Sequence, residues 1–345
     1  MPVKIVPFAP EHLSAVQRFS EQAWKRPQSD AFYRWRYLDA PGHRSFLALL
    51  DRECVAMLSG FERRYRFGYE RVTVLETCDW FCLPRFRPSG LGLRVMLYAM
   101  GYPYPLLAVG GTKDTVSLLP RLGWRRLGVA TRYSLPMHGR VIAELLKRRY
   151  GVPRIFGDIT AKWIMRLLHR GARASTPLGA VTVVDAGVSP EIEALYGGQL
   201  GYGTIPLYDQ EYVRWLVDAL CDMGRFVLLC FRISNELRGW ALLRVYSNSR
   251  GRELVCVEIF APCPDEAIYA WMVSEIVSIG KILQVDRVTA QTTCPVLAAG
   301  LRRNRFLEVE KVPIWIWARD AKVPRFPLLL GFNAADGALL PYPGQ

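Results

Sequence analysis

ETCDWFCLPRFRPSGLGLRVM, residues 76 to 96, is the stretch whose reading decides the fold. A strand-like run ending near Leu83 passes into Arg87-Pro88-Ser89-Gly90-Leu91-Gly92 and directly on into a helical run. A glycine loop at a helix N-terminus turns several backbone N–H groups and the positive end of the helix dipole towards an anion. Gly90 and Gly92 let the backbone come close to a pyrophosphate or take a positive φ. Arg87 and Arg94 add charge beside it. The loop lacks the GK[ST] ending of a Walker sequence and the third glycine of a GxGxxG fingerprint.

Upstream of the loop come a helical stretch (HLSAVQRFSEQAW), then DAFYRWRYLDAPG, then strand runs SFLALL, CVAMLSGFERRY and RVTVLETCDWFCL. Downstream lie the helix LGLRVMLYAMGY, a strand PLLAVGG, a short helix TVSLLPRLG and a strand RRLGVATRYSLPM. The second half repeats this order, from DQEYVRWLVDAL through three strand runs, the helix DEAIYAWMVSEIVSIGKIL, strand DRVTAQT, helix VLAAGLRRNRF and strand VPIWIWARD. FYRWRY at 32–37 stands opposite EYVRWL at 211–216, which points to an internal duplication with a period near 179 residues.

The loop resembles the acetyl-CoA loop of the GNAT superfamily of N-acetyltransferases, written [RQ]xxGx[GA], and like it follows the fourth predicted strand and opens a helix. Residues 118–137, LLPRLGWRRLGVATRYSLPM, look like that family's helix ending in LG[FW] and its last strands. The likeness covers about residues 3–137. The second half is similar in element order only: its loop position reads PCPDEAIYAWM, with no glycine and two acids. The resemblance implies an α/β (α+β) fold of two tandem GNAT-like domains, each a mixed, mostly antiparallel sheet flanked by helices. The expected layout is an acyl-CoA-binding domain at 1–138, a basic amphipathic linker at 139–178, and a second domain at 179–345 that does not bind CoA.

The same resemblance implies direct acyl transfer from acyl-CoA, with acetyl the expected group, to an amine of a small molecule, sugar or cell-envelope precursor. The backbone of Trp80, Phe81, Cys82 and Leu83 would hold the pantetheine. Arg87, Pro88, Ser89, Gly90, Leu91, Gly92 and Arg94 would hold the pyrophosphate. Glu76 lies eleven residues before Arg87, where some members carry a general-base glutamate. Asp79, on the other face of an ideal strand, is the substitute if a bulge shifts the register. Many members place a general-acid Tyr four residues before the LG[FW] glycine; here that position is Leu119, so either the CoA thiolate leaves without that acid, as its low basicity permits, or another group such as Tyr98 or Tyr133 serves. Tandem halves also fit a Fem-like transferase using aminoacyl-tRNA, although such an enzyme needs no CoA loop. A non-catalytic CoA-binding or membrane-peripheral protein is the third reading.

Composition sets the outer bounds. With 51% hydrophobic and 22% charged residues, the 345-residue chain has material for two cores. Residues 1–175 hold 29 Lys+Arg against 13 Asp+Glu, a charge of +16, and the remainder 16 against 18, or −2, which together give the net +14. The basic half is thereby expected to meet an anion such as a phosphorylated cofactor or acidic lipid, with nucleic acid disfavoured. In the linker, Trp163, Ile164, Leu167 and Leu168 share a helical face ringed by Lys162, Arg166, His169, Arg170 and Arg173, which suits either an interfacial helix on anionic membrane at 140–175 or an interdomain helix. None of the eight cysteines forms a CxxC pair, and Cys78 and Cys82, four apart on a strand, are expected on one face as reduced, buried thiols. His12, His43, His138 and His169 read as surface or loop positions, with no metal site. The absence of a charged leader and of a 20-residue apolar run points to a cytoplasmic protein, peripheral to membrane at most.

Overall fold

The computed structural model describes residues 2–319 and 328–331, apart from 26–27, 152, 154–158, 162, 165–176, 185–189, 198–200, 220–223 and 249–250. Strand β1 (Lys4–Pro7) leads to helices α1 (Leu13–Trp24) and α2 (Asp30–Tyr37), strands β2 (His43–Leu50), β3 (Glu53–Phe67) and β4 (Glu70–Cys82), helix α3 (Leu91–Met100), β5 (Leu106–Val109), α4 (Lys113–Leu118) and β6 (Arg125–Pro136). Helix α5 (Gly139–Tyr150), β7 (Ala180–Val184), α6 (Pro190–Leu195) and β8 (Thr204–Pro206) come next. The second half then runs α7 (Gln210–Val217), β9 (Arg225–Ile233), β10 (Glu236–Asn248), β11 (Gly251–Phe260), α8 (Glu266–Ile282), β12 (Arg287–Thr292), α9 (Pro295–Arg303) and β13 (Leu307–Trp317).

These strands form one continuous mixed sheet in the order β1-β2-β3-β4-β5-β13-β6-β12-β11-β10-β9-β7, with β8 paired to the far end of β3. The halves are joined by an exchange. β13 pairs with β5 (Trp317↔Leu106 to Ile314↔Val109), β6 pairs with β12 (Pro136↔Arg287 to Thr131↔Thr292), and β13 and β6 pair with each other. Each half is thus completed by the closing strand of the other, and hydrogen bonds run through the seam without a free edge.

α1 and α2 cover one face of the first half with Val16, Phe19 and Tyr33 against Met57 and Phe61, and this core runs on to Trp240, Phe260 and Trp271 of the second half. α3 covers the opposite face with Leu91, Val95 and Met96 against Leu58, Leu75 and Leu106. α2 and α7 start alike: Ser29 Oγ accepts from Phe32 N at 3.1 Å and Asp209 Oδ1 from Tyr212 N at 2.8 Å, both satisfying a first-turn donor. The two helices meet at stacked indoles, Trp35 on Trp215, with centroids 4.4 Å apart. Each indole N–H donates to the other residue's carbonyl, at 3.1 and 3.0 Å, a reciprocity that follows from the internal repeat.

Two sequence expectations are corrected here. Cys78 and Cys82 face opposite sides, Cys78 packing on the α1/α2 core and Cys82 on the α3 core, because a bulge lies between them. His43 is neither in a loop nor on the surface: it sits in β2, 9% exposed, against the rings of Phe8 and Tyr37, with Nε2 2.8 Å from Ser45 Oγ. Burial, reinforced by Arg36 and Arg44, pushes its pKa down to about 3, so it is neutral at physiological pH. Of the basic linker, Ile142 and Ala143 of α5 pack with Ala161, and Ile164 lies against them. Trp163 is 61% exposed, while Lys162 and residues 165–176 lie outside the described residues. Among the described residues no helix is long and apolar enough to cross a membrane.

Candidate active site

β4 and β5 run parallel but pair over three rungs only, Leu75↔Leu106, Glu76↔Leu107 and Thr77↔Ala108. Past Thr77 the strands part. β4 keeps its ladder to β3, across a bulge where Leu58 alone opposes Asp79 and Trp80. Asp79 absorbs the extra residue in the left-handed region, at φ +50°, a conformation Asp tolerates better than most residues. The backbone from Cys78 to Cys82 therefore borders the opening, with no described strand against it on the β5 side.

Beside the opening the chain makes a two-turn 3₁₀ helix, Pro84–Ser89, reverses at Gly90 with φ +70° and enters α3. The first α-helical bond runs from Arg94 N to Gly90 O at 3.0 Å, so the N–H groups of Leu91, Gly92 and Leu93 precede the helical ladder. A Cβ at Gly90 would meet nothing within 4 Å, leaving open space beside those donors. Gly92 has a different task. Its Cβ would come 3.1 Å from Cys82 Cβ, and its carbonyl accepts from Trp80 Nε1 at 2.8 Å, so it lets the start of α3 seat directly on β4. Arg94 is exposed, as are Pro88 and Ser89; the Ser89 hydroxyl turns back to Phe86 O. Arg87 spans the strand end, with Nε 3.3 Å from Cys82 O and its guanidinium over Phe81.

Glu76 stands on the penultimate paired rung, 1% exposed, on the α1/α2 face, where the Tyr65 hydroxyl donates to its Oε1. Burial first, then the charge of Glu76, push the Tyr65 pKa well up, so this hydroxyl keeps its proton. The bulge turns Asp79 to the same face, and there the buried Arg36 of α2 pairs with it at 2.7 Å. Glu76 and Asp79 thus share a face, and Asp79 is committed to a cation. Leu119 is fully buried in the α3 core. Tyr98 is 46% exposed on α3. Tyr133 lies in the β6–β12 ladder, where its hydroxyl donates to Glu308 at 3.3 Å and accepts from Arg302 at 3.2 Å.

Several participants escaped the sequence reading. Arg63, 4% exposed, lies 3.5 Å over the ring of Tyr212 and 4.9 Å over that of Tyr208. Tyr208 in turn donates to Glu258 of β11 at 2.8 Å. Glu258 is the counterpart of Glu76 by register, since Phe61 pairs with Glu76 and Leu242, 181 residues on, pairs with Glu258. Its pKa is raised to about 7, chiefly by burial, with the Tyr208 bond and Arg63 opposing the rise and Glu76 adding to it. The Arg-x-Tyr repeated at 63–65 and 244–246 was the available signal.

The corresponding parting in the second half is closed by the chain itself. β11 and β12 pair from Glu253↔Arg287 to Val255↔Thr289 and then diverge. Residues 328–331 lie across the gap: Thr293 Oγ1 donates to Leu328 O at 2.8 Å and accepts from Leu330 N at 3.0 Å, while a Cβ at Gly331 would come within 2.6 Å of the Glu258 carboxylate. At the start of α8, Asp265 Oδ1 takes the N–H groups of Ala267 and Ile268 at 2.8 and 3.1 Å. Among the described residues no group of His, Cys, Asp and Glu is arranged to hold a metal.

No family model matches the sequence, and no curated protein matches it. Solved structures do. A GCN5-related N-acetyltransferase from Anabaena variabilis superposes with a TM-score of 0.63 at 11% identity, over 91% of this chain and 72% of that one. The N-myristoyltransferase of Saccharomyces cerevisiae with bound myristoyl-CoA gives 0.62 at 11% identity, over 92% and 84%. A conserved protein from Enterococcus faecalis, described as a probable N-acyltransferase, gives 0.59 at 9% identity, over 92% and 72%. The chain has the GNAT fold along both halves.

Proposed function

We propose that this protein is an acyl-CoA-dependent N-acyltransferase whose single cofactor cleft lies between β4 and β5. One observation carries the reading: the strands part beside a helix start whose N-cap, Gly90, has no side chain to occupy the first-turn donors and has open space where a Cβ would stand. The backbone of Trp80, Phe81, Cys82 and Leu83 on the side turned away from β3 suits the amides of a pantetheine arm, and the Gly90–Leu93 turn with Arg94 suits a pyrophosphate. What an acyl-CoA supplies is an activated thioester. The chain's own part is to exclude water at the apex and to take the proton that the acceptor amine sheds. Glu76 fills that role, since it stands at the apex with Tyr65 as its hydrogen-bond donor, whereas Asp79 is held by Arg36. Leu119 supplies no proton, and a CoA thiolate departs without one because of its low basicity. The acyl group is acetyl and the acceptor a small-molecule, sugar or cell-envelope amine, in a cytoplasmic protein whose 140–175 segment touches anionic membrane; N-myristoyl transfer in one fold relative makes longer chains the first alternatives to assay.

The test is calorimetric titration with acetyl-CoA and myristoyl-CoA, on the wild type and on Arg94→Glu, an exposed position whose reversal leaves the fold intact. Micromolar binding, weakened at least about tenfold by the reversed charge, is the expected result. A wild type that binds neither thioester would overturn the proposal.

A further inference from the structure

On the outer side of the α2/α7 pair, away from the cleft, lies a cavity of about 610 Å³ along the line that relates the two halves. Its floor includes the Trp35/Trp215 stack, whose indole N–H groups are already used. The walls repeat like the halves themselves: Arg34 from α2 and Arg214 from α7, 180 residues apart, both exposed. Glu211 and Asp218 stand on the α7 side and Asp39 just beyond α2. Among the described residues none of these five charged side chains is ion-paired, although their neighbours are: Asp209 pairs with Arg64 and caps α7, and Arg36 pairs with Asp79.

We infer that this cavity is a second binding site, for a small zwitterion of the amino-acid or dipeptide class. Two guanidiniums and three carboxylates line one concavity, so a purely anionic or purely cationic ligand meets like charge wherever it sits. A molecule bearing one carboxylate and one ammonium satisfies both, the carboxylate by bidentate bonds to arginine. The volume falls within the range of small-molecule sites. The site is distinct from the acylation centre. Trp215 meets Phe61, the residue paired with Glu76, from the cavity side at 6.0 Å, so the indole layer stands between a ligand here and the apex.

Binding is read by tryptophan fluorescence and calorimetry with the dipeptide Gly-Phe, using N-acetyl-Gly-Phe-amide as the uncharged counterpart. One saturable site per chain is expected for Gly-Phe, with affinity falling about tenfold or more in Arg34→Gln and in Arg214→Gln. The uncharged compound should not bind. Acyl-CoA titrated into the same variants should bind as in the wild type, so the two sites are judged separately. No saturable Gly-Phe binding would overturn the inference, as would equal binding of the uncharged compound or wild-type affinity in the two arginine variants.

Discussion

The two partings of the sheet, β4 from β5 and β11 from β12, occupy corresponding places in the two halves and differ in what borders and fills them. In the first, α3 starts at a glycine without a side chain to cap it, and a Cβ there would stand in open space. In the second, Asp265 occupies the same donors of α8 with its own carboxylate, and Glu266 places a further negative charge at the positive end of the helix. The first gap is bordered by strand backbone, with Arg87 on Cys82 O at its end, and no described strand crosses it. The second is crossed by residues 328–331, bonded to Thr293 and pressed against Glu258. In the second half the helix-start donors and the gap are thus satisfied internally, by Asp265 and by residues 328–331. A polar group buried without a partner costs about 1–3 kcal/mol, so donors and acceptors satisfied in this way contribute to stability.

The sharpest way to break this comparison is to remove the charge from the two register-equivalent carboxylates. Glu76→Gln should lower the acyl-transfer rate by about 10²-fold or more while acyl-CoA affinity stays within about twofold, because the amide still accepts the Tyr65 hydrogen bond and cannot take a proton. Glu258→Gln should leave most of the rate. Equal losses in the two variants would mean that both halves contribute to the chemistry and would end the division into working and structural clefts.

A smaller effect separates the same substitution at two glycines. Gly331→Ala drives a methyl into the Glu258 carboxylate, under 3 Å from both oxygens, and should cost about 1–3 kcal/mol in denaturant midpoint with acyl-CoA affinity nearly unchanged. Gly90→Ala meets no atom and carries only the expense of a positive φ, about 1 kcal/mol. Its stability loss should be the lesser of the two and its effect on acyl-CoA binding the greater. The reverse ranking would show that residues 328–331 are not the filler of the second gap.

How far the sequence carried this reading depends on the range of each interaction. The glycine loop, the helix after it and the element order were legible because they are local: Gly90 and Gly92 announce a turn and a helix start within a few residues. The repeat was legible through Tyr33-Arg34-Trp35 and Tyr212-Arg214-Trp215. The strand exchange was not, since β6 and β13 look alike as closing strands and which partner each takes is decided by packing across the whole sheet. The bulge at Asp79 was foreseen only as a condition. Nothing in TCDWFC marks an extra residue, so the spacing of Cys78 and Cys82 alone predicts one face where the bulge gives two. The ties among Arg63, Tyr208 and Glu258 join residues 145 and 50 positions apart, too far for local spacing to announce them.

The smallest expected effect tests whether Glu258 is a buried acid kept for structure. Its pKa is raised in the folded protein to about 7 from an ordinary 4.5, so between those values the folded chain holds a proton that the unfolded chain has released. Unfolding stability must then fall as pH rises through that window, and the loss is complete above about pH 7. Glu258→Gln keeps an acceptor for Tyr208 and removes the titration, so its urea midpoint should decline less than the wild type's from pH 5 to pH 8 and should exceed it at pH 8. Glu76→Gln serves as the control from the other cleft. Should the Glu258→Gln midpoint fall as steeply as the wild type's, Glu258 would be titrating with an ordinary pKa, and the second cleft would have to admit the water that makes this possible.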